Sequence, residues 1–401
     1  MDLKSTHPKV PIHTVLIMLG MMISLLILTS CQSSATAYEI RPALSFSQVK
    51  EMGLAGCLDY YSIPGCAWAV LDDQGVITGS LGETFVGSGK PIETTHLFQI
   101  GSLGKSYTAL MAAKCVEAGW TNWDTNILSV FPTWQEDMHP AYTNITLADL
   151  ISHNTNLQPS NAHQTHVDKK TGNLVYEDIP NFPGTTYERR REFSKYAVSL
   201  EPIETEGMNY RNAGYVIAGC MLEEVTGKPW EILAQELASE MGMEIKFERP
   251  NRIDPSQPWG HRLIHANRLQ PVASSDLEKY NDPLFSPAGN ISVNILDFSN
   301  YVRQFMEGLN EVDGVVKAET YKYLLMGSEP YAMGWYNDFT TDSIFYHYGS
   351  EGTFYCHMMI FADLNAAIII FTNADTGDNT VNFLNDCRNY LKDTYIYGSD
   401  T

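Results

Sequence analysis

The chain has 401 residues, of which 44% are hydrophobic and 11% aromatic, and its formal net charge is −21. A surface this acidic argues against nucleic acid and against anionic lipid headgroups as partners. The length allows two packed lobes around one site, and the sequence shows no internal repeat, low-complexity block or coiled-coil heptads. These features indicate an ordinary globular protein.

The N-terminus has the pattern of a lipoprotein signal peptide over residues 1–30. Its apolar run, 15–28, is short for a membrane span. Residues 28–31, Leu-Thr-Ser-Cys, match the bacterial lipobox, whose cysteine is lipidated and becomes the new N-terminus. We therefore expect lipidation at Cys31, a polar tether over 31–44, and a place in the cell envelope, on the periplasmic side of the outer membrane. The alternative is a retained membrane helix.

Hydrophobic periodicity predicts strands at both ends of the globular region. In chain order we expect a helix at 45–60, strands at 66–71 and 76–81, a helix-rich region at about 102–308, strands at 344–348, 353–361 and 366–371, and a last helix around 381–391. This order predicts an α+β fold, an α/β sandwich whose antiparallel sheet is built from both chain ends and flanked by helices. An all-helical lobe would complete one domain at 45–395, with the site in the cleft between lobes.

Ser102 and Lys105 lie three residues apart at the predicted start of a helix. At that spacing they share one helix face, so the amine can reach the hydroxyl and help remove its proton. The helix N-terminus also favours negative charge near the serine. Ser47 and Lys50 have the same spacing without this context, and we expect them on a helix surface.

Two further motifs follow in order. Tyr210 and Asn212 form Tyr-x-Asn before a predicted helix, and His347 and Gly349 form His-x-Gly at the end of a short aromatic strand. This series resembles the serine β-lactamase and penicillin-binding protein family. It is most similar to the class C branch with its related DD-peptidases and esterases, because Tyr-x-Asn stands where class A has Ser-Asp-Asn. The resemblance covers about residues 45–390.

The resemblance implies a β-lactamase/transpeptidase-like fold and an acyl-enzyme mechanism without metal or cofactor. Ser102 would be the nucleophile, and Lys105 and Tyr210 would share the role of general base, each with a lowered pKa. Asn212 would hydrogen-bond Lys105 and the substrate amide. The backbone N–H groups of Ser102 and Ser350 would form the oxyanion hole.

His347 departs from the lysine that the family often has in this place. We expect it beside Ser102 and the far end of the substrate. Because histidine titrates near pH 6.5, carboxylate-bearing substrates should be processed better as the pH falls toward 6. The departure weakens penicillins as the physiological substrate.

Several similar patterns have structural interpretations. Residues 170–172 spell Lys-Thr-Gly but precede Tyr210, so we expect a turn there. Residues 142–144 repeat Tyr-x-Asn and lead into a helix N-cap. His163 and His166 lack further metal ligands, which favours a solvated loop, and His153 is expected to be a structural histidine. The polar stretch 158–206 is predicted to be a long excursion near the cleft mouth that could set specificity.

Export would permit disulfides among the six cysteines that follow Cys31. Cys115 and Cys220 lie in apolar helices and are expected in the core. Two pairings stay open, and the sequence does not decide between pairing and free thiols: these are Cys57–Cys66 and Cys356–Cys387.

Three functions are consistent with these motifs. The first is a serine hydrolase that acts on a cell-wall peptide, a D-amino-acid amide or a small ester. The second is a true β-lactamase. The third is a catalytically silent binding lipoprotein with the same fold, which has no need to keep Lys105 and Tyr210 together. The expected partners are a small-molecule or peptide substrate and, through the lipid anchor, the membrane.

Overall fold

Strands from both ends of the chain pair into one antiparallel sheet. The computed structural model describes residues 39–158, 163–167, 174–203, 207–264, 268–277, 282–340 and 343–398. Its strands are β1 Gly65–Leu71, β2 Val76–Gly82, β3 Phe98–Gln99, β4 His163–Val167, β5 Leu174–Asp178, β6 His261–Ile264, β7 Arg268–Pro271, β8 Ser292–Val293, β9 Tyr336–Asp338, β10 Ile344–Ser350, β11 Tyr355–Phe361, β12 Ala366–Thr372 and β13 Ala374–Asp375. The main sheet has the order β2-β1-β12-β11-β10-β9. The predicted α+β class is thereby confirmed.

Most helices come from the central part of the chain, and one from each end of the chain also packs on the sheet. They are α1 Phe46–Tyr61, α2 Gly104–Glu117, α3 Ile127–Val130, α4 Leu147–Ile151, α5 Thr186–Ser199, α6 Asn212–Thr226, α7 Trp230–Glu240, α8 Pro250–Ile253, α9 Ser286–Gly289, α10 Ile295–Leu309, α11 Ala318–Met326 and α12 Asp378–Leu391. Among the described residues no helix is long and apolar enough to cross a membrane.

The central strands β1 and β12 are buried on both faces, which explains their unbroken apolar sequences. Alternate residues point to opposite sides, so Trp68 and Val70 enter one hydrophobic cluster, while Ala69 and Leu71 enter the other. The sheet is therefore the middle layer between two sets of helices.

Helices α1 and α12, from the two chain ends, cover one face together. Ser45 caps α1 in a capping box with Gln48. The Tyr61 hydroxyl donates to Asp386 of α12 at 2.6 Å. Lys50 lies on the outer surface of α1, where it pairs with Asp393 at 2.9 Å, so the first Ser-x-x-Lys pattern is a helix surface as expected.

The described parts of the excursion at 158–206 contain regular secondary structure. Strands β4 and β5 pair antiparallel, so the expectation of a loop around His163 and His166 is wrong for the backbone. Helix α5 then packs against α6, where the fully buried Arg190 pairs with Glu223. Phe193, Ala197 and Val198 of α5 also enter the core, but most other residues of this helix are polar or charged, which is why hydrophobic periodicity does not find it.

The structure tests the expectations for the cysteines and for one further strand. All six described cysteines are free thiols. Cys356 and Cys387 belong to the two hydrophobic clusters on opposite faces of the sheet, so they cannot pair without refolding. Strand β9 is absent from the prediction because it has only three residues. Residues 170–172, the signal peptide and Cys31 lie outside the described residues, and the proposed domain bounds stay a prediction.

Candidate active site

Ser102 lies in a single 3-10 turn, Gly101–Leu103, that leads directly into α2. Gly101 enters this turn with φ 51°, a left-handed conformation that glycine adopts without steric cost. The hydroxyl therefore lies at the N-terminal end of a 14-residue helix, where unsatisfied N–H groups favour developing negative charge.

Lys105 reaches Ser102 from the first turn of α2. Its Nζ lies 2.9 Å from Ser102 Oγ and 2.7 Å from the carbonyl oxygen of Ala288. The side chain is fully buried, and its Nζ lies 4.8 Å from the ring centre of Tyr210 and 5.5 Å from that of Tyr215. Burial lowers the pKa of Lys105 well below its usual value. A neutral amine beside Oγ has the lone pair that a general base needs.

Tyr210 lies next to both Ser102 and Lys105, in the loop before α6. Its side chain hydrogen-bonds Ser102, which opposes the dominant effect of burial, yet the pKa of Tyr210 is raised. The expectation of a lowered pKa is therefore correct for Lys105 and wrong for Tyr210. A buried phenol remains protonated at neutral pH, so it can pass on a proton but does not start as a tyrosinate base.

His347 is buried next to the site, with its ring centre 6.2 Å from that of Tyr210, and is only 1% exposed. Its Nδ1 lies 2.6 Å from the carbonyl oxygen of Tyr348, which can only accept, so Nδ1 carries the hydrogen. The Tyr331 hydroxyl lies 3.2 Å from Nε2 and must then donate to it. Burial, together with Lys105, lowers the pKa of His347 to about 3. The expectation that His347 becomes charged near pH 6 is therefore wrong, whereas its contact with substrate stays a prediction.

His153, for which the sequence predicted a structural role, packs against Tyr210. Its ring centre lies 4.3 Å from that of Tyr210, and its Nδ1 accepts the backbone N–H of Arg211 at 3.2 Å. Burial lowers the pKa of His153 well below its usual value, and Lys105 and His347 add to this. The neutral imidazole thus packs behind Tyr210 and holds the start of the Tyr-x-Asn motif.

The end of β10 lies against the serine turn. A Cβ on Gly349 would lie 2.0 Å from the carbonyl oxygen of Ile100, and one on Gly101 would lie 2.7 Å from the backbone nitrogen of Ser350. Only glycine permits this approach. It brings the backbones of Ser102 and Ser350, the two predicted oxyanion donors, next to each other. The Ser350 hydroxyl donates to the Asp375 carboxylate.

The structure brings together Ser102, Lys105 and Tyr210, which the motifs singled out, and places beside them several residues that the motifs do not mark. Among these residues, Ala288 contributes its backbone carbonyl, and Tyr331 and Asp375 contribute their side chains. Ala288 lies in the short sequence Ser-Pro-Ala-Gly, residues 286–289, which forms α9. Asn212, expected to bind Lys105 and substrate, is the first residue of α6. Its role stays a prediction.

Beside Ser350 a pocket opens between the β10–β11 turn and β13. It is lined by Arg262, Leu263, Glu351, Gly352, Thr353, Asp375, Thr376 and Gly377. Within the described residues no group of three or more histidines, cysteines or carboxylates is arranged to hold a metal ion.

Comparisons with known proteins identify the family to which the chain belongs. A profile of the family described as Beta-lactamase matches residues 54–386. Penicillin-binding protein 4 of Amycolatopsis lactamdurans is 25% identical over 191 residues, which is 47% of this chain and 46% of that protein. The chain spans about half the length of the curated relatives it matches.

Two solved structures share the fold. An octameric penicillin-binding protein homologue from Pyrococcus abyssi is 19% identical with a TM-score of 0.65, over 88% of this chain and 80% of that one. D-amino acid amidase from Ochrobactrum anthropi SV3, complexed with L-phenylalanine amide, is 18% identical with a TM-score of 0.65, over 86% of this chain and 99% of that one. At these identities the likeness shows the fold alone. With the profile match across most of its length, the chain belongs to the beta-lactamase family of serine hydrolases.

Proposed function

We propose that the protein hydrolyses an amide or ester that carries no carboxylate, through an acyl-enzyme on Ser102. The observation that carries this proposal is the 2.9 Å separation between Lys105 Nζ and Ser102 Oγ, together with full burial of the lysine. A receptor with the same fold has no use for a desolvated amine next to a serine hydroxyl.

Acylation follows from the positions of three side chains. The neutral Lys105 amine donates to the Ala288 carbonyl and accepts the proton of Ser102 as Oγ attacks the acyl carbon. The backbone N–H groups of Ser102 and Ser350 stabilise the oxyanion that forms. When the acyl bond breaks, the Tyr210 hydroxyl donates its proton to the leaving group and is reprotonated from Lys105.

Deacylation reverses the same transfers. Water enters the place of the leaving group and gives a proton to the Tyr210–Lys105 pair as its oxygen attacks the acyl carbon. Ser102 then recovers its proton and the acid leaves. Because the pKa of Tyr210 is raised, this proton moves in concert with the attack, and a free tyrosinate does not accumulate.

The charge of His347, in the His-x-Gly motif, indicates which class of substrate the site favours. A lysine there would attract a carboxylate, whereas His347 is buried and its pKa is about 3. A neutral imidazole that already accepts a hydrogen bond from Tyr331 offers little to an anion. D-amino-acid amides and small esters that carry no carboxylate are therefore favoured over carboxylate-bearing β-lactams. The shared fold with a D-amino acid amidase is consistent with this choice.

A substrate panel tests the proposal. Purified protein and its Ser102→Ala variant are given a p-nitrophenyl ester, a D-amino-acid amide and a fluorescent penicillin in parallel. We expect turnover of the ester or amide by wild type only. Lasting penicillin label would favour a cell-wall peptidase, and transient label with fast turnover a β-lactamase. No reaction with any of the three by a folded protein would favour the binding lipoprotein.

We also propose export and lipid anchoring at Cys31. The support is the apolar run at 15–28 followed by the lipobox at 28–31. Cys31→Ala should leave the protein uncleaved or free of the membrane. An unmodified Cys31 in the mature protein, found by mass spectrometry, would refute the anchor.

A further inference from the structure

A buried ion pair closes the turn that follows Ser350. Arg249 and Glu351 pair with side chains only 2% and 8% exposed. The Arg249 Nη1 donates to Thr353 Oγ1 at 2.9 Å, and the Thr353 hydroxyl in turn donates to Glu351. The backbone N–H of Phe354 donates to Glu351 Oε1 at 3.0 Å. One guanidinium therefore organises the whole β10–β11 turn.

The segment leading to Arg249 is bonded to the other half of the site. The Ser292 hydroxyl donates to the Glu248 carbonyl at 2.7 Å, and Asn290 Nδ2 donates to the Phe247 carbonyl at 3.2 Å. Gln99 pairs with Ser292 across β3 and β8, and its Nε2 donates to Asn290 Oδ1 at 2.6 Å. Strand β3 ends two residues before the Ser102 turn.

Residues 247–249 thus link two backbones that must keep a fixed separation. One is the turn that carries the N–H of Ser102, and the other is the strand end that carries the N–H of Ser350. Oxyanion stabilisation depends on donors held within a few tenths of an ångström of their productive positions. A buried ion pair is weak evidence for stability, but its best supported use is to fix one arrangement among several.

We propose that Arg249 and Glu351 are positioning residues that set the separation of the two oxyanion donors, Ser102 and Ser350. This inference rests on the proposed acyl-enzyme function. Both side chains are almost fully buried, so they would act on catalysis through the backbone of the turn that follows Ser350. Without the pair the turn at 351–354 relaxes, the Ser350 N–H moves away from the oxyanion, and transition-state stabilisation falls while ground-state binding is retained.

The test compares Arg249→Met and Glu351→Gln with a control at a second buried pair. Arg190 and Glu223 are both fully buried, and Glu223 lies eleven residues beyond Asn212 in α6, roughly 16 Å along the helix at its normal rise. Arg190→Met should therefore destabilise the fold by the same mechanism without reaching the site. Thermal unfolding is recorded for each variant, and kinetics are measured well below its melting temperature.

The decisive readout is the ratio of kcat for an ester to kcat for the matching thionoester. Sulfur is larger and accepts hydrogen bonds poorly, so a well-formed oxyanion hole favours the oxygen substrate. We expect Arg249→Met and Glu351→Gln to lower kcat for the ester at least tenfold, with KM changed less than twofold, and to lower the ratio. Arg249→Lys, which keeps the charge, should recover part of both.

Arg190→Met should lose thermal stability and keep the wild-type ratio. An unchanged kcat in folded Arg249→Met or Glu351→Gln, or a lower kcat with an unchanged ratio, would overturn the inference. The near-isosteric Glu351→Gln decides the matter if Arg249→Met does not fold. A wild-type enzyme that turns over neither substrate would refute the proposed function and this inference together. If the wild-type enzyme is active through Ser102 and the variants do not behave as expected, only the inference about the ion pair is refuted.

Discussion

The Tyr331 hydroxyl lies 3.2 Å from Nε2 of His347, and this contact fixes what the third motif can do. The other ring nitrogen donates to the Tyr348 carbonyl at 2.6 Å, so both nitrogens of the neutral imidazole are occupied. The site therefore has hydrogen-bonded imidazole and phenol rings near Lys105 in place of a second cation. The buried aromatic surroundings also keep water from Lys105 and lower its pKa.

Lys105→Met should lower the acylation rate constant by about two to four orders of magnitude, the usual contribution of a positioned general base. The methionine keeps the volume of the side chain, so the fold should persist. Lys114→Met is the control, because Lys114 lies on the same helix but pairs with Glu240 at the surface. Rapid-quench measurement of ester acylation gives the rate constants. Equal losses in both variants would contradict the assignment of Lys105.

The pH dependence of kcat/KM should follow Lys105 alone on the acid side. Activity requires the neutral amine, so it rises as pH increases through a midpoint well below the usual lysine value. His347, with its pKa lowered to about 3, adds no step between pH 5 and 9. Profiles for a neutral ester and a carboxylate-bearing ester should coincide, and His347→Gln should preserve their shape. A histidine-like step near pH 6.5 that disappears in His347→Gln would show that the imidazole ionises.

Gly349→Ala should impair catalysis more than folding. The added Cβ would lie 2.0 Å from the Ile100 carbonyl oxygen and 3.0 Å from the Ser102 nitrogen, so the strand end and the serine turn must separate. We expect kcat to fall by about 100-fold or more, the scale of losing one oxyanion donor. Gly119→Ala is the control for backbone strain, because Gly119 has a φ of 75° and open space around its Cβ and follows the far end of α2. A Gly349→Ala enzyme with normal kcat would contradict the geometry.

Stability should fall in mild acid because of buried neutral histidines. His357 is 1% exposed, stacks on Tyr348 with ring centres 4.3 Å apart, and has a pKa lowered to about 3. Below pH 6.5 the unfolded chain binds a proton that the folded protein does not, so unfolding becomes easier as pH falls. At about 1.4 kcal/mol per pH unit, this one group costs about 2 kcal/mol at pH 5.

His357→Leu removes that proton uptake. The difference in unfolding free energy between pH 7.5 and pH 5 should therefore shrink by about 2 kcal/mol relative to wild type. Urea unfolding at the two pH values measures it. An unchanged difference would mean that His357 does not remain neutral in the folded protein.

The parts of this protein that follow from local pattern could be predicted from sequence. The apolar runs of β1 and β12 and the helix that starts behind Ser102 each depend on a few neighbouring residues. That both chain ends contribute to one antiparallel sheet followed from finding strands at both ends, whereas the order of the strands within it was not predicted. Helix α5 was not predicted because most of its residues are polar or charged, including the buried Arg190, whose partner Glu223 lies 33 residues away.

The chemistry of the site depended on contacts that sequence order does not show. The burial of Lys105, the raised pKa of Tyr210 and the neutral state of His347 all arise where α2, α6 and β10 converge. Nothing in the residues around position 331 marks Tyr331 as the donor to His347. A titratable residue can be located by a motif, whereas its protonation state is set by the three-dimensional environment.

The measurement closest to the central claim is the location of the covalent bond. Wild type, Ser102→Ala and Ser47→Ala are treated with a serine-directed phosphonate, digested and analysed by peptide mass spectrometry. The Ser47→Ala control matters because Ser47 and Lys50 repeat the Ser-x-x-Lys spacing on the surface of α1. We predict one modified serine, Ser102, in wild type and Ser47→Ala, and no modification in Ser102→Ala despite near-normal thermal stability. Label on another serine, or label retained in Ser102→Ala, would contradict the assignment of the nucleophile.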